Sequence, residues 1–264
     1  MSKNKIPKLG LKPPVQKNLM KAIPFSHLFT GTIPAHPVVE DHYSAVKGAF
    51  QLYQNDKYGD CGPTGVGNQR ILVSTYLGAK QVIPTQADIF DLYRRATKPP
   101  FNPKTGANDN GVVLQDLCGA LVKGGIAGTK AVAFARVNLY NLEEAAAAVS
   151  IFGSLLLGVN LEVAQQSQTP SGTWDYVWNS GEWGGHCVLG CGYDKTNIAK
   201  ATGNVVTWAQ VVKMTLPFMK HQMSEAWVVI WPENLGTKQF QQGIKLDVLK
   251  SDFQQITGSK LILP

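Results

Sequence analysis

Two side chains in this sequence have the chemistry of a nucleophile and its base. Cys61 stands in Gly59-Asp60-Cys61-Gly62-Pro63, where Asp60 can cap a helix and Gly62-Pro63 fit a first turn. A cysteine there meets unpaired backbone N–H groups and the positive end of the helix dipole, both of which favour thiolate over thiol. His186 opens Gly185-His186-Cys187-Val188-Leu189-Gly190-Cys191-Gly192-Tyr193, an apolar run that reads as a strand. Period two puts His186, Val188 and Gly190 on one face and Cys187, Leu189 and Cys191 on the other. The bland alternatives are a buried cysteine acting as a small hydrophobe and a hydrogen-bonded core histidine.

The elements that must bring these two together follow from periodicity. The run from Asp60 through Ile71, Leu72 and Tyr76 to Gly78 predicts a helix. Thr85 and Asp88 have capping-box spacing ahead of Ile89, Leu92 and Tyr93. Leu114, Leu117, Cys118, Leu121 and Val122 form an apolar stripe that ends at Gly124-Gly125, and Asn141 with Glu144 opens an alanine-rich helix ending near Gly153. Strands are expected over 155–163, 185–193, 205–214 and 226–231, with the chain beyond Glu233 ambiguous. Helices first and strands second imply an α+β fold with segregated lobes.

Composition bounds the rest. Of 264 residues, 44% are hydrophobic and 16% charged, which excludes general disorder. The net charge of +7 is uneven: six lysines and no acids precede Glu40, leaving the remainder near neutral. Residues 1–48, which include Lys3, Lys5, Lys8, Lys12 and six prolines, therefore read as a basic extended arm. Such an arm suits an acidic partner or assembly surface, a phosphate backbone, or solvent, whereas the core does not read as nucleic-acid-binding. No leader-like or membrane-spanning apolar run is seen, so a cytoplasmic or virion-associated protein is expected. The four cysteines lack the spacing of a disulfide scaffold.

The stretch Asn55-Asp-Lys-Tyr-Gly-Asp-Cys-Gly-Pro-Thr64, with Asn110-Gly-Val-Val-Leu-Gln-Asp-Leu-Cys-Gly119 after it, resembles the helical lobe of papain-like cysteine peptidases. Asp60-Cys61-Gly62-Pro63 and Tyr76-Leu77-Gly78 also resemble the bacteriocin-processing peptidase domains of exporters. Gly185-His186 with Gly190-Cys191-Gly192-Tyr193 is similar to the histidine strand of the superfamily, and Thr207-Trp208 with Ala226–Ile230 to the strands that follow it. The Asn-Asp-x-x-Gly-Asp-Cys form further resembles uncharacterised phage and prophage proteins.

This resemblance implies a two-lobed fold: a helical lobe (about 49–140) carrying the cysteine helix, packed on an antiparallel β lobe (about 141–235). Residues 236–264 would then be a C-terminal extension. It implies Cys61 as nucleophile, His186 as base, and Asn55, where the family has Gln, as the oxyanion donor. For the group that orients the imidazole, the family position is occupied by Val206; Asn204, four residues before Trp208, and Asp194 remain candidates, as does an unoriented dyad. The implied activity is hydrolysis of a peptide or amide bond without a cofactor. A catalytically weak papain-fold binding or structural protein of a virion, and a cell-wall peptidase, are the rival readings.

Cys187 and Cys191 with His186 and Cys61 have poor spacing for zinc, and no metal is expected. Trp174, Tyr176, Trp178 and Trp183 either line a cleft or pack a long loop.

Overall fold

The computed structural model describes residues 6–19, 22–29, 32–46, 48–78, 80–258 and 260–261. Lys3 and Lys5 of the basic arm lie outside these residues. Helix α1 (Cys61–Tyr76) is buried on nearly all sides and runs through the middle of the molecule. Packed around it are α2 (Gln86–Ala96) and α3 (Leu114–Gly124). Thr85 and Asp88 form the reciprocal cap of α2. Asn141 caps α4 (Leu142–Phe152), but Glu144 reaches back to the amide of Asn138 at 2.9 Å instead of closing a box.

The sheet holds β1 (Val39–Asp41), β2 (Ala133–Arg136), β3 (Leu155–Glu162), β4 (Thr173–Trp174), β5 (Glu182–Asp194), β6 (Thr202–Thr207), β7 (Gln210–Thr215) and β8 (Met223–Ile230). Its order is β2-β8-β3-β5-β6-β7-β4, antiparallel except for β4 on β7, with β1 added to the far end of β5. Two further helices, α5 (Ala164–Ser171) and α6 (Leu216–Gln222), accompany the sheet. The ambiguous C-terminal part folds as a short helix, Lys238–Gly243, and α7 (Leu246–Thr257).

Alternation along β5 divides the hydrophobic interior. Cys187, Leu189 and Cys191 face the core shared with α1, α2 and α3, while Val188 faces a second core formed with α4 and α6. The single strand expected over 205–214 is in fact a hairpin. Trp208 and Ala209 have φ of 43° and 62°, the left-handed pair that lets a two-residue turn match strand twist.

Described parts of the arm lie against the body. Leu11 pairs with Val112 in parallel, and Val39–Asp41 extends the sheet. Among the described residues, no helix is long and apolar enough to cross a membrane.

Candidate active site

Cys61 is the first residue of α1 and is 1% exposed. Its Sγ accepts a hydrogen bond from the backbone amide of Cys187 at 3.3 Å, so the helix tip abuts β5 immediately beside His186. Burial pushes the thiol up to about 12, against the amides of Cys187, Gly10 and Gly62, which favour the thiolate. His186, also 1% exposed, is pushed down to about 3 by the same loss of water. Burial thus favours the neutral thiol and the neutral imidazole, each on its own.

The imidazole is held from two sides. Nε2 lies 2.8 Å from the hydroxyl of Thr207, and Trp208 stacks on the ring at 4.4 Å and 15°. Trp183 stacks on Trp208 in turn, at 5.7 Å and 22°. A positive φ is unusual for a residue as bulky as Trp208. The turn that imposes it delivers the indole to the histidine. Nδ1 is buried and has no hydrogen-bond partner among the described residues.

The hydroxyl beside the imidazole belongs to Thr207, which the sequence analysis did not single out for this place, although alternation puts it there. Leu189 opposes Val206, so Thr207 follows opposite Val188, on the face that His186 shares. Asn204 and Val206 point the other way. Moreover, Asn204 opposes Gly192, six residues along β5 from His186, a distance of about 20 Å. Asp194 lies farther still, exposed and bonded to the amide of Thr196 at 2.8 Å. The structure thus brings neither Asn204 nor Asp194 to the imidazole.

Asn55 does lie beside the nucleophile's helix, but its amide is occupied. Nδ2 donates to Asp60 Oδ1 at 3.1 Å and to the carbonyl of Tyr58 at 3.3 Å. Asp60, at the N-cap position, makes no side-chain cap, and burial raises its carboxyl well above the usual range. Opposite, Asp109 accepts from the amide of Gly59 (2.9 Å), the hydroxyl of Tyr93 (2.8 Å) and the ammonium of Lys8 (2.6 Å). The Tyr93 hydroxyl also accepts from the amide of Gly111 at 2.8 Å, fixing the loop that forms one wall of a cleft.

That cleft is filled by the chain's own N-terminal strap. The Leu11 amide donates to Gly185 O at 3.1 Å on the β side; Val112 N donates to Gly10 O, and Lys12 N to Val112 O, each at 2.8 Å, on the helical side. A Cβ on Gly10 would stand 1.9 Å from Gly59 O, and one on Gly111, whose φ is +77°, 2.1 Å from Gly10 O. The strap passes only because both residues are glycine.

Trp174 is buried and Trp183 stacks in the histidine's aromatic support, whereas Trp178 is 82% exposed. Among the described residues, no group of three or more His, Cys, Asp or Glu could hold a metal ion.

Solved structures similar to the chain include cysteine proteases. Xylellain, a cysteine protease from Xylella fastidiosa, matches with a TM-score of 0.63 and 15% identity, over 87% of this chain and 98% of its own. Digestive procathepsin L 3 of the Tenebrio molitor larval midgut matches at 0.56 and 11%, over 83% and 75%. A procathepsin B from Trypanosoma congolense matches at 0.53 and 11%, over 86% of each chain. The chain thus has the α+β, papain-like fold of these proteases. No protein-family model and no curated protein sequence matches it.

Proposed function

We propose that this chain is a cysteine hydrolase of peptide bonds whose cleft is closed at rest by residues 8–12. The observation that carries the reading is the strap itself. It hydrogen-bonds both walls of the cleft through its backbone, as an extended polypeptide substrate would, and it crosses directly over Cys61. The catalytic unit in this reading spans about 49–235, with the arm 1–48 before it and 236–264 as an extension.

With Nε2–H donated to Thr207, the imidazole keeps a lone pair on Nδ1 for the thiol proton. Cys61 Sγ then attacks the substrate carbonyl carbon, and the oxyanion meets the Cys61 amide. Asn55 joins it if one N–H turns away from Tyr58 O. His186 passes its proton to the leaving amine, the thioester forms, and water activated by the same ring releases the acid and the thiol. Thr207 orients the ring, the part for which the sequence left Asn204, Asp194 or no residue as candidates.

Departure of the strap returns water to the pair, which removes much of the cost of the charged forms. The test is incubation of the full chain and of Gly10→Ala with an unstructured protein, counting new amino termini. Gly10→Ala should cleave faster, and Cys61→Ala should abolish cleavage. Clearance of peptidoglycan with no cleavage of the protein would instead favour the cell-wall reading; inactivity on both would favour a binding protein. A phage origin and an acidic partner for the arm find no support among the similar structures.

A further inference from the structure

Asp60 stands immediately before the nucleophile at the N-cap of α1, yet its side chain serves no helix amide. An N-cap carboxyl ordinarily takes the N–H of the second or third helical residue. Here the second is Gly62, whose amide favours the Cys61 thiolate, and the third is Pro63, which has no N–H. The carbonyl of Asp60 still starts the helix, accepting from the Thr64 amide at 2.9 Å. Its carboxyl is 0% exposed and faces Asn55 instead, itself 2% exposed. Oδ1 accepts from Asn55 Nδ2 at 3.1 Å, and Oδ2 is buried with no partner among the described residues.

No Lys, Arg or His is among the groups that shift this carboxyl. The charges that bear on it are Asp56, in its own loop, and Asp109, which is paired with Lys8 of the strap. Its other titratable neighbours are the Cys61 thiol and the Tyr93 hydroxyl of α2. Burial and both like charges favour the neutral acid, against the Asn55 bond and the backbone amide of Asp60 itself. The difference matters at Asn55. A carboxylate would grip the amide with a charge-assisted bond, about twice as strong as a neutral one, and would set a negative charge beside the thiolate and the oxyanion. A neutral acid holds the same N–H more weakly and adds no charge. The amide is then anchored through one N–H while the other, now on Tyr58 O at 3.3 Å, can turn.

Building on the hydrolase reading, we propose that Asp60 is a positioning residue, which anchors the Asn55 amide so that its second N–H meets the oxyanion formed on the substrate carbonyl. It acts through Asn55 and exchanges no proton with the reacting atoms. Ionisation of Asp60 works against this role twice, by tightening its hold on Asn55 and by repelling the charge that develops beside it.

The test uses the full chain carrying Gly10→Ala and three readouts. The first is hydrolysis of a peptide spanning a bond that this chain cleaves. The second is binding of acetyl-Leu-Leu-norleucinal, whose carbonyl carbon takes the Cys61 sulfur while the thiol proton passes to the carbonyl oxygen, with no turnover. The third is alkylation of Cys61 by iodoacetamide, a displacement that creates no oxyanion. Asp60→Ala should lower kcat about 100-fold, the lower range for a lost oxyanion donor, with KM held, and should weaken the aldehyde. Alkylation should not slow, since a group that opposes the thiolate has gone. Asp60→Asn keeps an acceptor for Asn55 and cannot ionise, so it should restore most of the lost kcat and carry activity to higher pH than the parent. In an Asn55→Ala background, Asp60→Ala should cost little more.

Equal slowing of alkylation and hydrolysis by Asp60→Ala, losses that add in the double variant, or an alkaline limit unmoved by Asp60→Asn would overturn the proposal. A parent that hydrolyses no peptide, with the aldehyde still weakened by Asp60→Ala, would remove the hydrolase reading and leave the positioning role standing. A parent that neither hydrolyses nor takes the aldehyde would remove both.

Discussion

At the scale of the residue, the site depends on a histidine held between a hydroxyl and an indole. Thr207→Val removes the acceptor for Nε2–H but preserves shape, so kcat should fall by about 100-fold, the lower range of a misdirected general base. Thr207→Ser should retain most activity, and comparison of kcat with KM for the two variants checks the assignment. Cys61 was singled out by the helix start it occupies, and His186 by its apolar run and the resemblance; the structure puts His186 within β5, which begins at Glu182. Thr207 was hidden by attention to an amide side chain, although alternation from Val205 already put its hydroxyl on the histidine's face. Asn55 was named through the resemblance, and a matched position cannot reveal that its amide is spent on Asp60 and Tyr58.

At the scale of elements, α1 is anchored at its middle as well as at its tip. Buried Arg70 makes paired hydrogen bonds to Glu233 at 2.6 and 3.1 Å and lies 4.4 Å over the Trp231 ring. Glu233→Ala strands the guanidinium in the interior and should cost about 3–5 kcal/mol in urea unfolding. Arg70→Met should cost less, because Glu233 is partly exposed and can hydrate. Caps and stripes announced the helices, since those signals are local; Thr85 with Asp88 is the clearest case. The hairpin at Trp208-Ala209 was not announced, because neither residue is one that usually accepts a left-handed turn. Nor was the strap, whose backbone bonds depend on partners about 100 and 175 residues away and leave no periodic trace.

At the scale of the molecule, burial of the site links stability to pH. His186 titrates near 3 in the fold and near 6.5 unfolded, so below pH 6.5 the unfolded chain takes up a proton that the folded one refuses. Stability should therefore decline as pH falls through this window, by about 1.4 kcal/mol per unit from this residue, with buried His42 acting in the same direction. His186→Gln should flatten the slope measured by urea unfolding between pH 6 and pH 4. The same burial makes the covered thiol a poor nucleophile, and in the proposed reading departure of the strap exposes it. The most direct measurement is mass-spectrometric mapping of an epoxide thiol probe on the Gly10→Ala chain. The account predicts modification at Cys61, faster than in the unaltered chain and strongly reduced when His186→Ala is added. Modification at Cys118 or Cys187 instead, or none at all, would contradict it.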